Sequence, residues 1–238
     1  KDPKITIHST QSSAHFLWAM MCDRAPTNDV NVRLALKYCA NRQAMVDQLL
    51  LGYGTVANDF PISPGMPLFC KEIPQRDYDP DKAKFYWEKT GLSGIEISAS
   101  TQAGDYAIDA CVMLQEGAKA AGINIDIKQA PADGYWEQVW MKVPICASNW
   151  NARPTADLML TTLYKSDAEW NETQWKNAHF DELLVLGRKT VDDKKRQEIY
   201  CEAQTLIHED GGAFIPFFTD FVDATRARIQ NYQGSAAF

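Results

Sequence analysis

Residues 95–128 read IEISASTQAGDYAIDACVMLQEGAKAAGINIDIK, and this stretch decides the fold. IEISAS (95–100) reads as a strand. The helix that follows, over about 104–121, stacks Tyr106, Ala110, Leu114, Ala118 and Ala121 at helical spacing, and Gly122 stops it. INIDIK (123–128) is a second strand. Strand, helix and strand within about 35 residues make a right-handed crossover, which sets two strands in parallel with a helix packed on them. The expected class is α/β, a mostly parallel sheet flanked by helices.

The flanking sequence extends the same pattern. KITIHS (4–9) alternates apolar and polar residues and predicts a strand. After Pro26, residues 28–50 are helical, with Val32, Leu36 and Cys39 on one face. Asn41 can cap a second helix through Leu50, so this is two helices or one bent helix. Residues 55–78 are rich in proline and exclude regular helix or central strand; a long ordered loop inside a compact domain is often functional. DPDKAKFYWEKTG (79–91) opens with an Asp cap and a proline at the first helical position, and closes on Gly91. DGYWEQVWMK (133–142) predicts a short helix with Trp136 and Trp140 on one face, and VPICASNW (143–150) a strand. Residues 180–190 and 192–210 are helices, the second turning Ile199, Ala203, Leu206 and Ile207 inward. AFIPFF (213–218) is an apolar strand whose Pro216 calls for an edge or a bulge.

Composition excludes several functions. A net charge of −7 lacks the basic footprint of a nucleic-acid binder. No apolar run approaches the roughly 20 residues that span a bilayer. The six cysteines show no C-x-x-C and no histidine pair at metal spacing, so no metal site is expected. Cys39, Cys111 and Cys201 fall within helical patterns and read as buried thiols; an oxidising compartment allows one disulfide. The P-loop, the dinucleotide fingerprint, the nucleophile elbow and H-E-x-x-H are all missing. Neither a cofactor nor an enzymatic activity is expected, and a hydrolase reading has no motif behind it. The chain begins KDPKITIHS, with neither Met nor an apolar signal segment. The expectation is that a targeting segment was removed or that the chain is a piece of something longer.

Residues 148–160 read SNWNARPTADLML. Pro154 pushes Arg153 toward extended geometry, because its ring crowds the α region of the preceding residue. Thr155 and Asp157 suit a helix start. A cation therefore stands where a strand ends and a helix begins, the edge at which α/β sheets collect ligands. A guanidinium there binds a carboxylate or phosphate through two parallel hydrogen bonds. The competing use is an internal salt bridge with Asp157 or Asp59. Five of the seven tryptophans lie between 136 and 175. Flat aromatic walls with a few amides and one cation describe a small-molecule site. Trp136 and Trp140 read as core; Trp150, Trp170 and Trp175, in polar company, read as ligand-facing.

Five stretches resemble a known family, the extracytoplasmic solute-binding proteins of peptide- and nickel-type ABC transporters. DVNVRLALKYCANRQAMV (29–46) is similar to the family's DVRVRQALNYAIDRQAIV, and GYGTVANDFPISP (52–64) to its G-x-x-x-PA-x-x-PI-x-P loop. YDPDKAKFYWEKTG (78–91), QEGAKAAGINIDI (115–127) and RQEIYCEAQTLIHEDGGAFIPFF (196–218) follow in the family's order. The resemblance implies a periplasmic-binding-protein-like lobe, one of two that close on a solute by hinge motion. It implies an N-terminal lobe absent from this chain, ABC permease subunits as partners, and a periplasmic or extracytoplasmic location. On this reading residues 1–25 cross from the absent lobe, 26–212 form the C-terminal binding lobe, and 213–238 return. Peptide binders of this class often carry W-x-x-D-Y-P-D-P, whose first Asp holds the peptide's amino group; aligning the tryptophans puts Arg153 at that Asp. The inverted charge favours an anionic or aromatic solute over a free-amine peptide. The expected ligand-facing set is Arg153, Trp150, Asn149, Asn171, Trp170, Trp175 and Asp59, with Asn58 beside the last. A peptide binder proper, or a receptor or interaction module without transport, is the alternative.

Overall fold

The computed structural model describes residues 4–235. Its strands are β1 (Ile5–Thr10), β2 (His15–Met20), β3 (Gly54–Val56), β4 (Gly94–Ala99), β5 (Asn124–Gln129), β6 (Ile145–Trp150), β7 (Ala213–Thr219) and β8 (Phe221–Arg226). Its helices are α1 (Val30–Tyr38), α2 (Arg42–Leu49), α3 (Pro80–Glu88), α4 (Ala107–Lys119), α5 (Tyr135–Gln138), α6 (Ala156–Tyr164), α7 (Ala178–Lys189) and α8 (Asp193–Asp210).

The β4–α4–β5 crossover forms as its sequence requires: β4 and β5 pair in parallel from Gly94↔Asn124 to Ala99↔Gln129. Six strands join in the order β3-β7-β2-β6-β4-β5. The sheet is mixed, which corrects the expectation of a mostly parallel one. β4 is parallel to β5 and β6, while β2 runs antiparallel to β6 and β7, and β3 to β7. The reason lies in a separate two-stranded ribbon of β1 and β8, closed by Thr10↔Phe221. β2 leaves that ribbon and β7 returns to it, so the two must point in opposite directions.

β2 was not legible as a strand. HFLWAM is buried at all six positions, so it shows no polar alternation. Phe16, Trp18 and Met20 enter the core under α1, α2 and α4, and Leu17 and Ala19 enter the one under α6, α7 and α8. Both β2 and β7 are inner strands, so the expected boundaries at 25/26 and 212/213 cut through the sheet. The chain leaves the sheet instead at Gln11–Ala14 and at Asp220. The outermost residues of the two proposed crossing segments, 1–3 and 236–238, lie outside the described residues.

Pro216 sits at a bulge. Between the pairs Phe16↔Phe217 and Trp18↔Phe214, two residues of β7 face one of β2. The helix starts carry their caps: Asn41 accepts from Ala44 N at 3.1 Å, Asp79 from Lys82 N at 2.9 Å and Thr155 from Leu158 N at 3.1 Å. Asn41 thereby separates α1 from α2 as two helices.

The proline-rich loop after β3 is fastened at two points. Asp59 is fully buried and takes Arg42 at 3.0 Å and Arg76 at 2.6 Å. Further on, Cys70 and Cys201 form a disulfide to α8, and Gln204 of α8 accepts from Cys70 N and donates to Leu68 O. Cys201 is thus bonded rather than a free thiol; Cys39 and Cys111 are the buried thiols expected of them.

Candidate ligand-binding site

β4 and β6 end together at one edge of the sheet, beside the start of β2; His15 pairs with Trp150 across that edge. Trp150 is the last residue of β6, and the chain then turns through Asn151 to Pro154 before α6. Asn149 donates to Gln102 O at 3.2 Å, which ties this edge to the turn after β4.

Around Trp150 the aromatic rings form a continuous wall. Trp136 and Trp140 lie 6.1 Å apart, Trp140 and Trp150 6.4 Å, and Trp150 and Trp170 5.7 Å. Trp136, Trp140, Ser148, Asn149, Trp150 and Trp170 line an open, mostly apolar groove of about 310 Å³. Two of its rings are held by a residue that the sequence reading did not single out. Glu172 is buried, and its carboxylate accepts the indole N–H of Trp150 at 2.6 Å and that of Trp140 on its other oxygen. Burial raises its pKa above the usual carboxylate range, against the pull of the indole bonds. An acid between Asn171 and Thr173, in a polar loop, carries no sequence mark that separates it from a solvated one.

Arg153 lies at the rim. Its Nη1 donates to Asn151 O at 3.1 Å and Ala152 O at 3.2 Å, and its guanidinium carbon sits 5.6 Å from the centre of the Trp150 ring. Among the described residues it forms no ion pair. Both acids that competed for it are engaged elsewhere: Asp157 with Arg188 at 2.9 Å, and Asp59 with Arg42 and Arg76. Arg153 also borders a second cavity of about 190 Å³, shared with Ser12, Ser13 and Ser63. Nearby His15 is pushed down to about 4 by burial, against the bond to Ser13 O, with Arg153 adding to the depression.

The groove thus gathers three of the expected residues, Trp150, Asn149 and Trp170, with Arg153 packed over Trp150 beside it, and leaves the others outside. Trp175 is buried in the core under α8, its indole donating to Asp210 at 2.7 Å. Asn171 is buried too; it donates to Trp175 O at 2.7 Å and accepts from Thr173 Oγ1 at 2.9 Å, holding a loop rather than a ligand. Asp59 is neutralised in its ion cluster, and Asn58 is spent on Arg76 N and Pro74 O. Conversely Trp136 and Trp140, read as core, face the groove. Their predicted helix shrinks to the single turn of α5, which buries Tyr135 and ends before Trp140.

Against known proteins, a family model described as bacterial extracellular solute-binding proteins, family 5, middle region, matches residues 1–172. The chain is 27% identical over 230 residues to a dipeptide-binding protein of Escherichia coli (strain K12), covering 88% of this chain and 41% of that protein. It is 26% identical over 217 residues to the nickel-binding protein NikA of Staphylococcus aureus, covering 85% and 42% respectively. In structure it is similar to the periplasmic binding protein DppA from Helicobacter pylori in complex with the peptide STSA, with a TM-score of 0.83 and 20% identity, over 97% of this chain and 46% of that one. The chain therefore spans less than half the length of each of these three relatives.

Proposed function

Because this chain belongs to the family 5 bacterial extracellular solute-binding proteins, we propose that it is one lobe of a two-lobed protein that captures a solute and delivers it to the membrane subunits of an ABC importer. Its cargo is a small molecule with a flat apolar part and an anionic group. The single observation that carries this reading is the position of Arg153. It is a cation without an acidic partner among the described residues, placed over Trp150 at the rim of an aromatic groove. Flat apolar groups are recognised by such walls, and the guanidinium supplies charge-assisted bonds to an oxyanion.

The Cys70–Cys201 disulfide supports an extracytoplasmic site of action, since such bonds persist in oxidising compartments. No helix among the described residues is long and apolar enough to cross a membrane. The β1–β8 ribbon, which leaves the sheet at the groove's edge, serves as the crossing to the second lobe.

The test is mass spectrometry of molecules that co-purify with the two-lobed protein and its Arg153→Ala form. The wild type is expected to carry an acidic, flat cargo that the variant largely loses. A cargo with no anionic group, retained equally by both, overturns the reading.

A further inference from the structure

The 190 Å³ cavity behind Arg153 is walled by three segments: Gln11–Ser13 between β1 and β2, Ser63–Pro67 of the proline-rich loop, and Ala152–Pro154. Its polar groups are unbalanced. No carboxylate lines it. Ser12 Oγ accepts from Ala14 N at 2.8 Å, and its own hydroxyl hydrogen has no acceptor among the described residues. Ser13 and Ser63 pair at 2.6 Å, which consumes one of their two hydroxyl hydrogens and leaves the other free. All three serines are buried. On Arg153, Nη1 is held by backbone carbonyls, while Nε and Nη2 have no partner among the described residues.

From this surplus of donors we infer that Arg153, Ser12, Ser13 and Ser63 form an oxyanion subsite, which takes a carboxylate or phosphate group of the cargo. Donors that face an open cavity without a protein acceptor are free to give their hydrogens to an anion, and the guanidinium does so through charge-assisted bonds. The inference rests on the anionic-cargo reading and deepens it. Trp150 lines the aromatic groove and Arg153, packed over it, lines the serine pocket, so the two recognise different ends of one molecule. His15 adds no positive charge. Its Nδ1 donates to Ser13 O at 2.9 Å, and its ring is neutral above about pH 4.

Calorimetric titration with inorganic phosphate, and separately with acetate, tests the subsite in the wild type, Arg153→Gln, Ser12→Ala, Ser63→Ala and a control variant, Arg228→Gln. The expected result is saturable binding to the wild type and control, weakened about tenfold or more in Arg153→Gln and several-fold to about tenfold in each serine variant. The better of the two anions tells a carboxylate from a phosphate cargo. If only Arg153→Gln weakens binding, the serine subsite is overturned while the anion role of Arg153 stands. If no anion binds saturably, or Arg153→Gln binds as the wild type does, both fall. Thermal melts of every variant separate loss of binding from loss of fold.

Discussion

Trp150 hands its indole hydrogen to Glu172 Oε1 at 2.6 Å, and the same carboxylate takes the indole of Trp140 on its second oxygen. One buried acid thus sets the tilt of two rings that line the aromatic groove. Replacing it by Gln leaves one acceptor for two N–H groups and turns an amide hydrogen toward the other indole. Glu172→Gln is expected to destabilise the fold by about 1–3 kcal/mol and to shift tryptophan emission. Thermal melts and emission spectra check it; an unchanged spectrum refutes the clamp.

Acid should weaken the protein through His15. Its pKa is lowered by burial to about 4 from 6.5. Between those values the unfolded chain binds more protons than the folded one, so stability rises with pH across that window and falls as pH drops through it. The loss is on the order of 3 kcal/mol by pH 4. Melting curves from about pH 7 to about pH 4 should show the drop, and His15→Gln should reduce it, the remainder coming from His208, which burial and the Arg76 charge likewise push down to about 4.

The charge cluster of the proline-rich loop also loses stability in acid, at lower pH. Burial alone raises the Asp59 carboxyl, but Arg42, Arg76, Lys37 and His208 overpower it and hold it down to about 2. Its contribution is present above the ordinary Asp value and lost as pH falls toward 2. Asp59→Asn removes the acid and strands two buried arginines, at a cost of about 3–5 kcal/mol. Urea denaturation at neutral pH measures it.

Reduction should loosen the same loop. Cys70 and Cys201 are 131 residues apart, and closing so long a loop restricts the unfolded chain strongly. The Cys70→Ser, Cys201→Ser double variant should lose about 2–4 kcal/mol. A melting temperature insensitive to reductant would show that the bridge adds nothing.

How far the sequence foretold this depends on what each residue must satisfy. The β4–α4–β5 unit was legible because helix and strand differ in period and Gly122, at φ +72°, ends the helix where chirality requires. β2 was not, since a strand covered on both faces has no alternation. The tryptophans misled for a chemical reason. A buried indole needs an acceptor, and Trp175 finds one in Asp210 just as Trp150 does in Glu172. Polar neighbours therefore accompany core and groove tryptophans alike. Asp59 misled similarly: an acid in a loop looks available until Arg42 and Arg76 close on it. Arg153 lies over Trp150 after the end of β6, where Pro154 biases it away from the helical region.

The bridge between the loop and α8 also alters the covalent topology of the chain. Residues 70–201 form a closed ring that carries β4, β5 and β6. A protease that cuts once within that ring, at any exposed bond, releases no fragment. The nicked protein keeps its mass but for one added water and runs as a single band until the disulfide is reduced.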